Sequence, residues 1–327
     1  MNPFLELTQL GKSYDSARGP AVIVQDFNLH VSEGEFVCII GHSGCGKSTV
    51  LSIVMGLNEA TEGGVILDRK EIAGPGLDRG VVFQSPALLP WLTARQNVLL
   101  AIDQVSQRLK PAARRELAEK YLALVGLENV ADCYPSELSA GMRQRVGIAR
   151  AFAVEPKVLL LDEPFSLLDV VTRMELQDEL IRLWDRERKT VLMVTHDVDE
   201  ALLLADRIVL MTNGPAATVG DIIAVPLARP RQRFAMVADP MYQRTRNELL
   251  WFLEKESRFA GAAEPTREKA LTPYFGAMDL RGPVKISDEE LFVIEKYTGF
   301  NRFRKKYRKQ RPPMSAMECN GAPVESS

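Results

Sequence analysis

The stretch "GHSGCGKST", residues 41 to 49, holds three glycines, a lysine and three hydroxyls, and fits the spacing GxxxxGK[ST]. Glycines in such a loop let successive backbone N–H groups wrap phosphate oxygens. Lys47 is expected to pair with the β and γ phosphates of a nucleoside triphosphate, and Ser48 to hold Mg²⁺. The candidate nucleotide-binding set is therefore Gly41, Ser43, Gly44, Cys45, Gly46, Lys47, Ser48 and Thr49. His42 and Cys45 fill variable positions, and neither side chain is given a chemical role. A chance glycine-rich turn is the competing reading. The apolar strand before the loop and the helix after it weigh against that.

"VLLLDEP" supplies a second group. Asp162, ending an apolar strand, suits outer-sphere Mg²⁺ coordination, and Glu163 suits a general base or water-orienting carboxylate. Taken alone, the pair could be solvated acids at a strand end. "ELSAGMRQRVGIARA", residues 137 to 151, raises a different question. Ser139 can cap a helix there, and a helix start offers N–H groups and a positive dipole end to an anion. One nucleotide does not obviously need two such starts so far apart in sequence.

Short apolar runs must position these groups. "FVCIIG" (36–41), "PKVLLLDEP" (156–164), "KTVLMVTHD" (189–197) and "RIVLMT" (207–212) read as buried strands separated by helical patterns. The reading is an α/β fold with parallel strands, whose carboxyl ends carry the polar residues. Between Phe83 and Pro156 the pattern is mostly helical, so an inserted helical subdomain is expected at about 85–155. The segment "PLARPRQRF" (226–234) reads as a boundary, and "MYQRTRNELLWFLEKESRF" as one amphipathic helix. The division is a nucleotide-binding domain over 1–228, a helical extension over 229–259 and a tail over 260–327.

The bulk numbers agree with an ordinary globular chain: 327 residues, 46% hydrophobic, 26% charged, net charge −2. Such a balance gives no whole-chain argument for nucleic acid. Cys38, Cys45, Cys133 and Cys319 follow no zinc or redox spacing, and reduced thiols are expected. The start of the chain lacks the basic and apolar regions of a signal peptide, and no run reaches membrane-spanning length.

With these motifs in order, residues 1 to about 258 resemble the ATP-binding subunits of ABC transporters. "VVFQSPALLPW" is similar to the Q-loop, with Gln84 as the Mg²⁺- and water-sensing residue. "LSAGM" resembles the signature motif, "SLLD" (166–169) the D-loop with Asp169, and "VTHD" the switch loop with His196. Tyr14 falls where the family stacks a ring on adenine. The resemblance implies a P-loop NTPase core of the ABC type, with ATP and Mg²⁺ as cofactors. It implies Ser48, Gln84 and Asp162 around the metal, and Glu163, His196 and Gln84 in hydrolysis. It further implies two ATPase subunits meeting head to tail, so that Ser139 and Gly141 of one chain serve the ATP held by the other. That would answer the question of the second helix start. Integral membrane permease subunits and an extracytoplasmic substrate-binding protein are the other implied partners, with the chain peripheral on the cytoplasmic face of the inner membrane. No nucleic-acid partner is expected.

The chain departs from the family pattern at Ala140 and Met142, where Gly and Gln are usual, and at Leu167 in the D-loop. Ala140 would sit at the first helical position, where negative φ admits a Cβ, so a working signature is expected. "TNGP" and the "RPR" that follows resemble most the nitrate importers within the nitrate, bicarbonate, cyanate and sulfonate group. A soluble ATPase acting on nucleic acid is the distant alternative. Leu88, Leu89 and Trp91 are expected as an exposed apolar socket for a membrane-subunit helix, with packing inside the helical subdomain as the other reading. In the tail, Ser287 with Glu290 forms a capping-box pattern. "RFRKKYRKQR" (302–311) is basic, either solvated or bound to anionic lipid or nucleic acid, and a disordered end follows.

Overall fold

The computed structural model describes residues 3–16, 19–106 and 108–260. The tail expectations at 287–290, 302–311 and the chain end lie outside these residues. The strands are β1 (Leu5–Ser16), β2 (Gly19–Val31), β3 (Phe36–Ile40), β4 (Glu62–Leu67), β5 (Lys70–Glu71), β6 (Arg79–Val82), β7 (Val158–Asp162), β8 (Thr190–Val194), β9 (Arg207–Met211) and β10 (Val219–Ala224). The helices are α1 (Lys47–Met55), α2 (Ala94–Val105), α3 (Pro111–Leu124), α4 (Ala140–Ala153), α5 (Val170–Glu187), α6 (Val198–Leu204), α7 (Arg233–Val237) and α8 (Pro240–Ala260). They fall into two compact units. One holds the chain up to Ser85 and again from Glu155; the other is Pro86–Val154.

The first unit contains both sheets. An antiparallel sheet runs β2-β1-β4-β5, and a second sheet runs β10-β9-β3-β8-β7-β6. In the second, every pairing is parallel except that of β10 with β9. This is the α/β arrangement the sequence predicts. "FVCII" and "TVLMV" are buried along their whole length, as parallel strands covered on both faces must be. Register then places the site. Ile39 of β3 lies beside Val194 of β8, and Val194 lies beside Asp162 of β7. The chain leaving these three neighbouring strands carries Gly41, His196 and Glu163 to one edge of the sheet. Leu7, Phe27, Ile39, Leu160 and the α1 residues Val50 and Val54 share one core cluster. α1 thus sits on apolar side chains from both sheets, which fixes the loop at its start.

The segment 226–234 is fastened to this core. The Arg229 guanidinium lies 4.2 Å from the centroid of the buried Trp184 ring and donates to Asp206 at 2.8 Å. Arg231 donates to the carbonyls of Leu202, Leu203 and Ala205. α8 has the expected amphipathic spacing, with Tyr242, Thr245 and Leu249 buried and Trp251 exposed.

In the second unit α2, α3 and α4 pack on one another. Thr93 opens α2 with a capping box to Gln96. The expected apolar socket is corrected here. Leu88 is 7% and Leu89 1% exposed, and only Trp91, at 40%, faces outward. The buried side chain of Asn97 accepts from the Leu89 N–H at 2.8 Å and donates to the Leu89 carbonyl at 3.2 Å. That amide satisfies the backbone of the proline-flanked turn, so its leucines can point into the helical unit.

Candidate active site

The phosphate loop is shaped by its glycines. Gly44 has φ 81° and Gly46, the N-cap of α1, has φ 105°, in the left-handed region that side chains avoid. Lys47 is 5% exposed. Its ammonium donates to the carbonyls of Gly41 and His42, each at 2.8 Å, and so closes the loop on itself. Ser43, Gly44 and Ser48 are exposed, Gly46 is half-buried, and Gly41, Cys45 and Thr49 are buried. Burial raises the Cys45 thiol, which keeps it protonated and unreactive.

β7 delivers the acids. Ser48 Oγ donates to Asp162 Oδ1 at 3.0 Å, so two of the three residues expected around the metal touch. Burial pushes the Asp162 carboxyl up to about 6. The Ser48 hydrogen bond opposes that, the Glu163 charge adds to it and Lys47 opposes it. Glu163 follows with φ 42°, its N–H donating to the Val194 carbonyl at 3.0 Å. That turn brings its carboxylate to β8: Glu163 Oε2 lies 3.3 Å from His196 Nδ1. Gln84 reaches the same place. Its Nε2 donates to Ser166 Oγ at 3.0 Å, and Ser166 Oγ donates to the Glu163 carbonyl at 3.0 Å. Lys47, Ser48, Gln84, Asp162, Glu163 and His196 therefore form one linked group.

The remaining expected residues are Tyr14, Asp169, Ser139 and Gly141. Tyr14, on β1, is 37% exposed. Asn58 donates to its hydroxyl at 3.3 Å and to Ser52 Oγ of α1 at 3.1 Å, which ties it to the loop's helix. The Lys12 ammonium sits 4.9 Å from its ring centroid. Asp169 caps α5, accepting from the Thr172 N–H at 3.0 Å, and this holds its carboxyl below the usual range. Ser139 caps α4 by accepting from the Met142 N–H at 3.2 Å. The helix begins at Ala140, as the sequence predicts. Ser139 is exposed and Gly141 is buried in the helical unit.

Sequence reasoning missed the support beneath the loop that carries His196. Thr195 donates to Glu200, and Gln177 of α5 donates to the other oxygen of the same carboxyl at 2.7 Å. The Asp197 N–H donates to Thr195 Oγ1 at 3.1 Å, so the buried carboxyl holds the residues on either side of His196. Burial pushes Glu200 up to about 7, against both of those hydrogen bonds. Thr195 and Glu200 stand five residues apart in "THDVDE", a weak signal; Gln177 gives none. Among the described residues no cluster of three or more His, Cys, Asp or Glu could hold a metal alone. No described helix is long and apolar enough to cross a membrane.

Residues 24–166 match the family described as ABC transporter. The nitrate import ATP-binding protein NrtD of Synechococcus elongatus is 52% identical over 257 residues, covering 79% of this chain and 93% of that protein. The chain belongs to the ATP-binding subunits of the ABC transporter family. The bicarbonate transport ATP-binding protein CmpD of the same organism is 51% identical over 259 residues, covering 79% and 92%. The nitrate transport protein NasD of Klebsiella oxytoca is 48% identical over 262 residues, covering 80% and 100%. A solved dimeric ATP-binding cassette, in a post-hydrolysis state with ADP and Pi, matches with TM-score 0.61 and 34% identity. It covers 68% of this chain and 100% of that one. This ABC ATPase therefore binds ATP and hydrolyses it to drive transport.

Proposed function

We propose that this ATPase powers an importer for nitrate. The observation that carries the reading is 52% identity, over 93% of its length, to a protein named for nitrate import. Bicarbonate is the second reading, supported by 51% identity to a bicarbonate transport subunit. Cyanate and sulfonate rest only on the sequence resemblance. The test is deletion of the gene in its host. Uptake of labelled nitrate at low concentration should fall at least about tenfold, while bicarbonate, cyanate and taurine uptake hold. Loss of bicarbonate uptake alone would transfer the assignment.

At the site, the phosphate loop from Gly41 to Thr49 wraps the triphosphate, and Tyr14 supports the adenine. Lys47, oriented by the carbonyls of Gly41 and His42, presents its ammonium to the β and γ phosphates. Ser48 and Asp162 form an oxygen donor set that fits Mg²⁺, with Gln84 in reach of the same group. The ion would neutralise developing phosphate charge. A cation there would also favour ionised Asp162, which burial disfavours. Glu163 accepts a proton from the attacking water, and His196 positions that carboxylate and contacts the γ phosphate.

Two such chains close head to tail. Ser139 and the first-turn N–H groups near Gly141 then meet the partner's ATP. Leu167, Val170 and Val171 are 64%, 69% and 66% exposed around Asp169, an apolar surface suited to that closure. Permease subunits, a substrate-binding protein and a peripheral place on the inner membrane's cytoplasmic face complete the assignment. Residues 1–228 act as the ATPase domain, with 229–259 as its extension.

A further inference from the structure

His42 occupies a variable position of the phosphate loop, yet its side chain is not idle. His42 Nε2 lies 2.7 Å from the Leu253 carbonyl of α8. A carbonyl can only accept, so the ring nitrogen carries the hydrogen and donates it. The backbone carbonyl of the same His42 accepts from Lys47 Nζ at 2.8 Å. A continuous chain of two hydrogen bonds therefore runs from α8 through His42 to the lysine that meets the phosphates.

α8 is held to the rest of its unit at three further places. Arg246 Nε donates to Asp199 Oδ1 at 2.6 Å, and the Tyr242 hydroxyl donates to the same oxygen at 2.7 Å. Asp199 lies in α6, the helix that follows His196. Asn213, just beyond β9, donates from its side chain to the Glu256 carbonyl at 2.8 Å and from its backbone to the Glu256 carboxylate at 3.1 Å. Phe252 packs against Gly220 of β10 closely enough that a Cβ there would fall 2.4 Å from its ring. The end of α8 is thus seated by packing, and the carbonyl offered to His42 has a fixed position.

We propose that His42 is a positioning residue that makes α8 part of the ATP site, so that ATP affinity depends on α8 staying seated on the phosphate loop. The Leu253 carbonyl fixes the His42 ring, the ring fixes its own peptide unit, and that peptide holds Lys47 ready in the loop. Losing the tie leaves the loop with more conformations to give up when phosphate binds.

The test uses the full chain and reads ATP affinity, kcat and melting temperature. His42→Ala should weaken ATP binding about fivefold, the effect of one hydrogen bond, with kcat at saturating ATP changed less than about twofold. His42→Gln, whose amide can donate to the same carbonyl, should return affinity to within about twofold of the parent. Leu253→Pro, which distorts the end of α8, should weaken ATP about as much as His42→Ala. The double variant should be no more than about twofold weaker than either single one, because both cut the same chain. Unchanged affinity in His42→Ala overturns the proposal. So does a His42→Gln chain as weak as His42→Ala, or a double variant whose losses multiply. Should Leu253→Pro fail to fold, the His42→Gln comparison decides alone. ATP turnover by the parent chain is the control that separates this outcome from failure of the ATPase itself.

Discussion

His196 Nδ1 stands 3.3 Å from Glu163 Oε2, so the proposed switch histidine and the proposed base sit side by side. Groups this close act as a unit. Glu163→Gln and His196→Ala should each lower kcat on the order of 100-fold or more while ATP binding persists, and the double variant should be little worse than the poorer single one. Steady-state ATPase rates with parallel nucleotide-binding titrations check this. Multiplying losses would mean that the two side chains work separately.

Ser139 caps α4, and substitution can separate that from its proposed signature role. As N-cap of α4 it contributes about 1 kcal/mol, and as part of the signature it should face the partner's γ phosphate. Ser139→Asp keeps the cap and adds a negative charge. Melting temperature and ATP binding by the monomer should hold, while dimer closure and hydrolysis fail. Ser139→Arg should lose the cap as well. If Ser139→Asp abolishes ATP binding by an isolated monomer, the signature helix serves its own chain's nucleotide.

Much of the placement of the candidate site was legible because its residues are bound to backbone geometry. A phosphate loop needs glycine where φ is positive, and a parallel strand shows its last polar residue plainly; Gly46 and Asp162 declare themselves this way. The cap at Ser139 is equally local. The errors and omissions arise at long range. Leu88 and Leu89 read as exposed because nothing nearby in sequence announces that Asn97 will satisfy their turn. Glu200 draws a partner from Gln177, 23 residues away, and His42 finds its partner 211 residues away. No periodicity encodes such pairings.

Glu200 gives the fold a pH dependence. Burial raises its carboxyl from 4.5 to about 7, so the folded chain holds a proton that the unfolded chain releases. The stability it contributes is complete below pH 4.5 and lost as pH rises through about 7. The full loss is on the order of 3 kcal/mol. Glu200→Gln cannot titrate, so its stability relative to the parent should rise between pH 5 and pH 8. Urea unfolding at those two pH values measures the difference. A pH-independent difference would show that Glu200 does not titrate in this range.

The corrected turn beside Gln84 makes a simpler prediction. Leu89 is 1% exposed, and Leu89→Ala should cost about 2–4 kcal/mol in unfolding free energy. Trp91 is 40% exposed, and Trp91→Ala should cost less than about 1 kcal/mol. Equal costs in denaturant titrations would mean that Trp91 is as much a part of the core as Leu89.

The φ of 42° at Glu163 sets two demands against each other at one position. Glycine would accept that backbone better by about 1 kcal/mol, and asparagine would tolerate it more easily than glutamate. A lineage released from the need to hydrolyse ATP would therefore be drawn downhill at this site, toward residues that ease the turn. One still dependent on turnover would be held at glutamate against that slope. With Glu163 as the proposed base, position 163 sets the need for turnover against the ease of the turn.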